Sequence, residues 1–353
     1  MENDTIFLND YQLKKDTFEI KVDEKTGEKK KRDWKGKKEN SLLLAESYKR
    51  LGKEKRATKV FNCSKELIFK ECSHHSYRIL SRANFCKDIL CPMCSWRRSH
   101  INRGQLFKII PEIYKLHPDV RFLFLTISRK NVTGEQLKDE ITHYNKSFER
   151  FFKRSEIKNN SSILGYVKAL EVTRNLDSKS KDYNSFHPHF HILVAVKGSY
   201  FTRDYISHSK YESLWAESVR VDYRPVVDIR VVKDKVSDNK INYEEQEISE
   251  LNAILETAKY AVKGSDYILK DTLLMDEGVD VFTGALDKRN MISYGGIFKI
   301  IKKELKLADV MSDNVDLVGE SHKDCKCPIC QTELKSVLYQ FNLGYREYVR
   351  KDF

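Results

Sequence analysis

Three histidines alternate along an apolar stretch: HPHFHILVAV (187–196) places His187, His189 and His191 at every second position. On an extended strand all three project to one face, while Phe190 and Ile192 point to the other. Neutral imidazoles side by side on a rigid strand hold a divalent cation, whereas three in a row would be an unusual way to build a core. Oxygen ligands would complete a site suited to Mg2+ or Mn2+ beside a phosphate. Glu171, in GYVKALEV (165–172), is the best candidate, with an ordinary surface carboxylate as the plainer reading. The ion's task would be to polarise a phosphodiester and neutralise charge in its transition state.

A second constellation lies in ILETAKYAVKGSDY (254–267). Glu256 and Tyr260 are four residues apart, hence on one face of a helix, and Lys259 and Lys263 form the adjacent pair with positive charge around the phenol. A phenolate that attacks phosphorus needs its proton removed and the charge of its target screened, and cations with a nearby metal do both. Among 18 tyrosines such a residue would by itself suggest only packing. Its meaning comes from the histidine strand upstream.

The chain has eight cysteines, and their spacing suits metal ligands better than disulfides. FCKDILCPMC (85–94) carries Cys86, Cys91 and Cys94 in the pattern of a zinc knuckle, with buried free thiols as the alternative. Tetrahedral zinc needs a fourth ligand, for which Cys63 is the first choice and Cys72, His74 or His75 the substitutes. SWRRSHINR (95–103) follows, so Arg97, Arg98 and Arg103 are expected to present cations to DNA phosphates. Near the C-terminus His322, Cys325, Cys327 and Cys330 lie within nine residues around a CPIC turn. They either close a second zinc site or stand as exposed or shared thiols.

The elements that must position these residues read as strands at 121–128, 165–172, 186–196 and 224–232, with helices at 134–153, 205–219, 244–262 and 297–307. Residues 1–58 are polar, and 29–38 (KKKRDWKGKK) hold seven basic residues in ten, the pattern of a partly disordered basic arm. The expected organisation is that arm, a zinc-knuckle module over 59–103, a catalytic body over 120–305, and a C-terminal segment, 306–353, with the second cysteine cluster. At 353 residues, 40% hydrophobic and 11% aromatic, the chain can bury a real core, which excludes wholesale disorder. Lys and Arg (64) exceed Asp and Glu (52) by 12, a balance that favours polyanionic partners. No apolar run of about 18 residues is present, so no membrane partner is expected, and a start without a secretory pattern suggests a cytoplasmic protein.

The order RFLFLTIS, HPHFHILVAV, ETAKYAVKGSD resembles the three motifs of the HUH endonucleases, in the branch of rolling-circle plasmid replication initiators from Gram-positive bacteria. FCKDILCPMCSWRR and KRNMISYGGIFK (288–299) resemble the staphylococcal initiators in particular, so the likeness runs from about residue 60 to 305. It implies an α+β fold with a central antiparallel sheet, ferredoxin-like or RRM-like, flanking helices, and a small N-terminal zinc-knuckle module. It implies further that His189 and His191 are the metal pair, with His187 the extra histidine of this branch and Glu171 a third ligand. Tyr260 matches the nucleophile that joins the 5′ phosphate of the nicked strand, and Glu256 a glutamate that activates water or otherwise assists the second cleavage. Thr126 lies in the first motif, where TISRKN departs from the usual TLT-type sequence, which puts a polar contact from Ser128 in doubt. The implied partners are origin DNA, single-stranded at the nick and duplex beside it, a host helicase and polymerase, and a second copy of the chain. Relaxases usually carry the nucleophile upstream of the histidines, and transposases of this type are usually shorter. A non-catalytic zinc-dependent DNA-binding regulator would explain the cysteines and the charge but not HPHFH with Glu256 and Tyr260.

Overall fold

The computed structural model describes residues 20–22, 29–31, 33–75, 77–233, 246–259, 261–312, 314–318 and 326–351. The chain divides into two compact units, one of residues up to Arg97 together with those from Asp316 onward, the other of Arg98–Val315. Twelve strands occur among the described residues. In the first unit are β1 (Ile20–Val22), β2 (Lys29–Lys31), β3 (Glu66–Glu71), β4 (Arg78–Ala83), and the last two, β11 (Lys335–Asn342) and β12 (Glu347–Lys351). The second holds β5 (Arg121–Ser128), β6 (Ile163–Arg174), β7 (Phe186–Val196), β8 (Val227–Lys233), β9 (Gln246–Ser249) and β10 (Ile292–Gly296). The expected α+β class with antiparallel sheets and flanking helices is what the chain adopts.

The second unit is built on a six-stranded sheet in the order β10-β6-β7-β5-β8-β9, antiparallel throughout except for the parallel pair β8 and β9. β7 is central, and its period of two divides it cleanly. Phe190 packs with Tyr144 and Phe148 of the helix Gly134–Phe152, with ring centroids 5.5 and 5.6 Å away. On the opposite face Leu193 and Ala195 join Phe122, Phe124 and Val167 under the helix residues Leu106, Ile109, Ile110 and Ile113. Toward the start of β7 that second face carries the histidines instead, so one side of one strand is core for half its length and site for the rest. Helices thus cover both faces of the sheet, and Trp215 of the helix His208–Val219 fixes the end of β5 by donating its indole N–H to the Ser128 carbonyl at 3.1 Å.

In the first unit β12-β11-β3-β4 form an antiparallel sheet beside the helices Trp34–Arg50 and Glu54–Phe61. This differs from the expected arm over 1–58. Asp33 caps the first helix by accepting from the Gly36 N–H at 2.7 Å, and Trp34, Leu44, Ala45 and Tyr48 are buried. Lys38, read as part of a solvated basic run, is itself buried and donates to the carbonyls of Phe61 and Cys63 at 2.6 and 2.7 Å. The C-terminal residues also differ from a separate segment, because β11 pairs with β3.

Two further long helices were not anticipated. Pro92–Leu116 contains Pro111, and its arginine-rich start reads as surface, while Thr272–Leu286 is capped by the Asp271 carboxylate. The helix expected over 244–262 is shorter, Glu250–Thr257, and is preceded by β9. Beyond Met291, which accepts from Leu170 N–H, the edge of β6 has no strand partner among the described residues, and the Ala261 carbonyl, past the helix end, accepts from Val172 N–H at 2.7 Å. A sheet-edge donor needs an acceptor, and the chain after the helix supplies it.

On the packed face, Lys168 is buried, with Nζ 2.7 Å from Asn145 Oδ1 and 4.1 Å above the Phe190 ring. Burial lowers its pKa to about 8. The folded state therefore binds fewer protons than the unfolded state between that value and the ordinary lysine range, and stability rises with pH across this window. The difference in unfolding free energy between wild type and Lys168→Met, measured by denaturant titration from pH 7 to 10.5, should shift steadily in favour of wild type as pH rises.

Candidate metal and nucleic-acid site

Pairing register assembles the site. His189 stands opposite Glu171 on β6 and Ser128 on β5, and His191 stands opposite Ala169 and Thr126. Glu171 Oε2 lies 2.9 Å from His191 Nε2 and 3.4 Å from His189 Nε2. One ligand atom from each of the three side chains falls within 4.8 Å of the others.

The far side of each ring is held. His189 Nδ1–H donates to the His187 carbonyl at 3.2 Å, which can only accept, so the lone pair of this tautomer sits on Nε2. His191 Nδ1 meets Thr126 Oγ1 at 3.2 Å, and the ring stacks on Phe124 with planes 17° apart. His187 Nδ1 lies 2.7 Å from Asn131 Oδ1, whose amide in turn donates to Ser185 Oγ. Such outer contacts fix ring orientation and tautomer for a metal.

Glu171 is 4% exposed. Burial alone would push its carboxyl pKa up, but without a metal the hydrogen bonds and charge of the His189 and His191 rings in their protonated form override this and hold it well below the usual carboxylate range. Its Oε1 is buried without a hydrogen bond and faces Lys263 Nζ at 3.4 Å. A buried anionic oxygen with spare acceptor capacity beside two imidazoles fits a divalent cation. The set opens onto a cleft of about 440 Å³ lined by Thr126, Ser128, Asn131, Thr173, Arg174, Asn175 and the three histidines. Three ligands on one side leave the cleft side open to a phosphate oxygen.

The lysines part company. Lys259 pairs with Glu256, three positions earlier, while Lys263 reaches Glu171, so they do not form the expected helical pair. The reason is the early helix end at Thr257. Tyr260 lies outside the described residues. Its neighbour Ala261 is the residue bonded to Val172, one position after Glu171.

In the first unit Cys63, Cys86, Cys91 and Cys94 bring their sulfurs within 4.8 Å of one another. Cys63 is 3.6 Å from both Cys91 and Cys94, and Cys86 is 3.6 Å from Cys94. A disulfide would need about 2.05 Å. The edge of a tetrahedron with Zn–S bonds of about 2.3 Å is roughly 3.8 Å, so the four sulfurs suit one zinc ion. Backbone N–H groups of Lys87 and Cys86 point at Cys94 and Cys63 sulfurs, at 3.2 and 3.5 Å. Lys38 holds the turn that carries Cys63.

Two expectations are corrected. Arg97 and Arg98 do not present their cations to solvent: they are 4% and 7% exposed, and Arg97 Nε donates to the Leu317 carbonyl at 2.8 Å. Arg103 is half-buried with Nη2 2.8 Å from His100 Nδ1. Second, Cys327 and Cys330 meet Cys72 and His75 from the turn after β3, partners that the reading of a set within 322–330 did not include. His322 and Cys325 lie outside the described residues. The sequence alone did not single out Asn131, which meets His187, and the Thr126 contact with His191 follows only from strand register.

Among known proteins, the replication-protein family matches residues 77–349. A "Protein rep" of Bacillus amyloliquefaciens is 38% identical over 331 residues, covering 90% of this chain and 91% of that protein. Another from Streptococcus pneumoniae serotype 2 is 39% identical over 296 residues, 83% of this chain and 85% of its own. A "Protein rep" of Staphylococcus aureus is 34% identical over 235 residues, 66% of this chain and 93% of its own. No solved structure matches. The chain belongs to the replication-protein family, in agreement with the Gram-positive replication initiators that its motifs resemble. Among the described residues no helix is long and apolar enough to cross a membrane.

Manganese binding, followed by electron paramagnetic resonance of the free ion, should be lost in Glu171→Ala and in His191→Ala. Thr126→Val, which removes only an outer contact, should weaken it by about tenfold.

Proposed function

We propose that the protein initiates plasmid rolling-circle replication by nicking one strand of its origin, and later rejoining it, through a tyrosine-linked intermediate. The observation that carries this reading is the convergence of Glu171 with His189 and His191, the two histidines lining an open cleft, and the chain just past residue 260 being bonded to the strand that bears Glu171. The family and its relatives supply the context of replication.

A divalent ion such as Mg2+ or Mn2+, held by Glu171, His189 and His191 with His187 beside them, would polarise the scissile phosphate and balance its growing charge. Single-stranded origin DNA would lie along the cleft, with Arg174 and Asn175 on its wall. Tyr260 would attack phosphorus in line. The bond from phosphorus to the 3′ oxygen breaks, the 3′ oxygen takes up a proton, and the 5′ phosphate stays on the phenol oxygen. The free 3′-OH primes synthesis. Because the phosphotyrosine conserves the phosphodiester energy, a later 3′-OH can displace the tyrosine without ATP. Lys263, beside Glu171, would screen phosphate charge, and Glu256, with Lys259 paired to it, would activate the water or assist the second cleavage that ends a round.

The fold that serves this chemistry would be the HUH endonuclease type, for which the central strand bearing alternate histidines and its antiparallel neighbours speak. The four-cysteine set of the first unit would hold a structural zinc. Host helicase and polymerase, and a second copy of the chain, are the partners such an initiator needs. A regulator that only binds DNA would leave the buried Glu171 between two oriented imidazoles without a task.

With a supercoiled origin plasmid and Mn2+, wild type should relax the DNA and leave protein on the 5′ end. Tyr260→Phe should lose nicking by at least about a thousandfold, as removal of a nucleophile does, while origin binding stays within a factor of two or so. Mass spectrometry of the peptide–oligonucleotide adduct should name Tyr260; an adduct on any other residue overturns the assignment. Glu256→Ala should keep the first nick and impair termination, and unchanged termination would return Glu256 to an ion-paired surface residue.

A further inference from the structure

The nuclease chemistry makes no use of the sulfur–imidazole group at the end of the four-stranded sheet. Cys72 and His75 form a C-x2-H pair in the turn after β3, and Cys327 and Cys330 form a C-x2-C pair in the turn before β11. Cys72 and Cys330 are 258 positions apart. Register nonetheless brings the two turns together, because Glu71, the last residue of β3, pairs with Lys335, the first of β11.

Both turns are tight. Cys72 N–H donates to the Tyr77 carbonyl at 2.8 Å, and Lys326 bridges Glu333 across the other turn, where Gln331 has a positive φ of 59° and donates to the Cys327 carbonyl. The four ligand atoms lie within 4.8 Å of one another. Cys72 and Cys330 sulfurs are 3.5 Å apart, and His75 Nδ1 is 3.7 Å from Cys72 and 3.9 Å from Cys327. These separations are too long for a disulfide of about 2.05 Å. They match the edges, about 3.5–3.8 Å, of a tetrahedron around zinc with three sulfurs and one imidazole nitrogen. The His74 N–H points at the Cys72 sulfur at 3.4 Å, as knuckle amides do, while the His74 ring is engaged with Thr332 Oγ1 at 3.3 Å. That leaves His75 as the nitrogen donor.

We propose that Cys72, His75, Cys327 and Cys330 bind a structural zinc ion that clasps the C-terminal hairpin, β11 with β12, to the hairpin of β3 and β4. The hairpin needs such a clasp. Only Val337 and Phe341 of β11 are buried, and no residue of β12 is. Apolar burial of that size cannot offset the ordering of the strands, and a coordinated ion can. Cys72, Cys327 and Leu334 pack with Tyr77 and Ile79 around the site, which shields the Cys72 and Cys327 sulfurs from water.

The test is zinc analysis of the full chain purified without chelator. Cys330→Ser and His75→Ala should each contain one zinc ion fewer per chain than wild type, and His322→Ala should match wild type. Unchanged zinc in both Cys330→Ser and His75→Ala overturns the proposal, as does a loss in His322→Ala alone. X-ray absorption at the zinc edge of wild type needs no variant to fold. It should show sulfur with a minority of imidazole scattering, since one site has four sulfurs and the other three sulfurs and one nitrogen. A zinc signal with sulfur alone overturns the proposal even if the Cys91 set is occupied, so the two zinc assignments fail separately.

Discussion

Everything at the cleft depends on one pairing register. β7 lies between β6 and β5, with His189 opposite Glu171 and His191 opposite Thr126. A slip of one residue would turn the histidines into the face now filled by Phe190, Ile192 and Val194 and drive Phe190 into the cleft. The apolar half of the same strand prevents this. Leu193 and Ala195 occupy the core beneath Leu106 and Ile110, and Phe190 is locked against Tyr144 and Phe148 on the other side. Packing at one end of β7 thus sets the ligand geometry at the other.

The register also decides what Glu171 is. A carboxylate buried to this depth would by desolvation prefer its proton, and as a neutral acid it would be a poor partner for a cation. Two imidazole nitrogens and the Lys263 ammonium reverse that preference and keep the group anionic. The arrangement is costly as a piece of core and makes sense as a ligand. Removing either histidine would leave part of that charge unmatched, so the three residues act as a unit.

How much of this was legible in the sequence follows from the range of each interaction. The alternation of His187, His189 and His191 needs no knowledge of neighbours, so the strand and its polar face could be read directly, and β5 and β7 match their expected bounds. The helix over 244–262 could not be read correctly, because residues just past its end bond to β6, a partner remote in sequence. Arg97 follows a zinc-knuckle pattern and looks like a phosphate contact. Only the packing of residues after 316 against its helix reveals that backbone carbonyls take its guanidinium. Cys327 and Cys330 read with His322 and Cys325 as one set, and that Cys72 and His75 lie beside them becomes visible only once β3 pairs with β11.

Ligand type and number divide the three clusters by role. The two cysteine-bearing sets each offer four donors, dominated by soft thiolate sulfur, and four donors close a tetrahedron. A cation so enclosed would have no position left for a substrate, and its contribution would be to hold the turns that bear the thiols. Glu171, His189 and His191 offer three donors, one of them a hard oxygen, with the two histidines lining the cleft. An ion bound there has positions free on the side where Thr126, Asn131 and Arg174 line the wall, and a phosphate oxygen is the hard, anionic ligand that would complete its shell. The coordination left open by the three side chains on β6 and β7 is therefore the feature that would suit this cluster to chemistry and the other two to architecture.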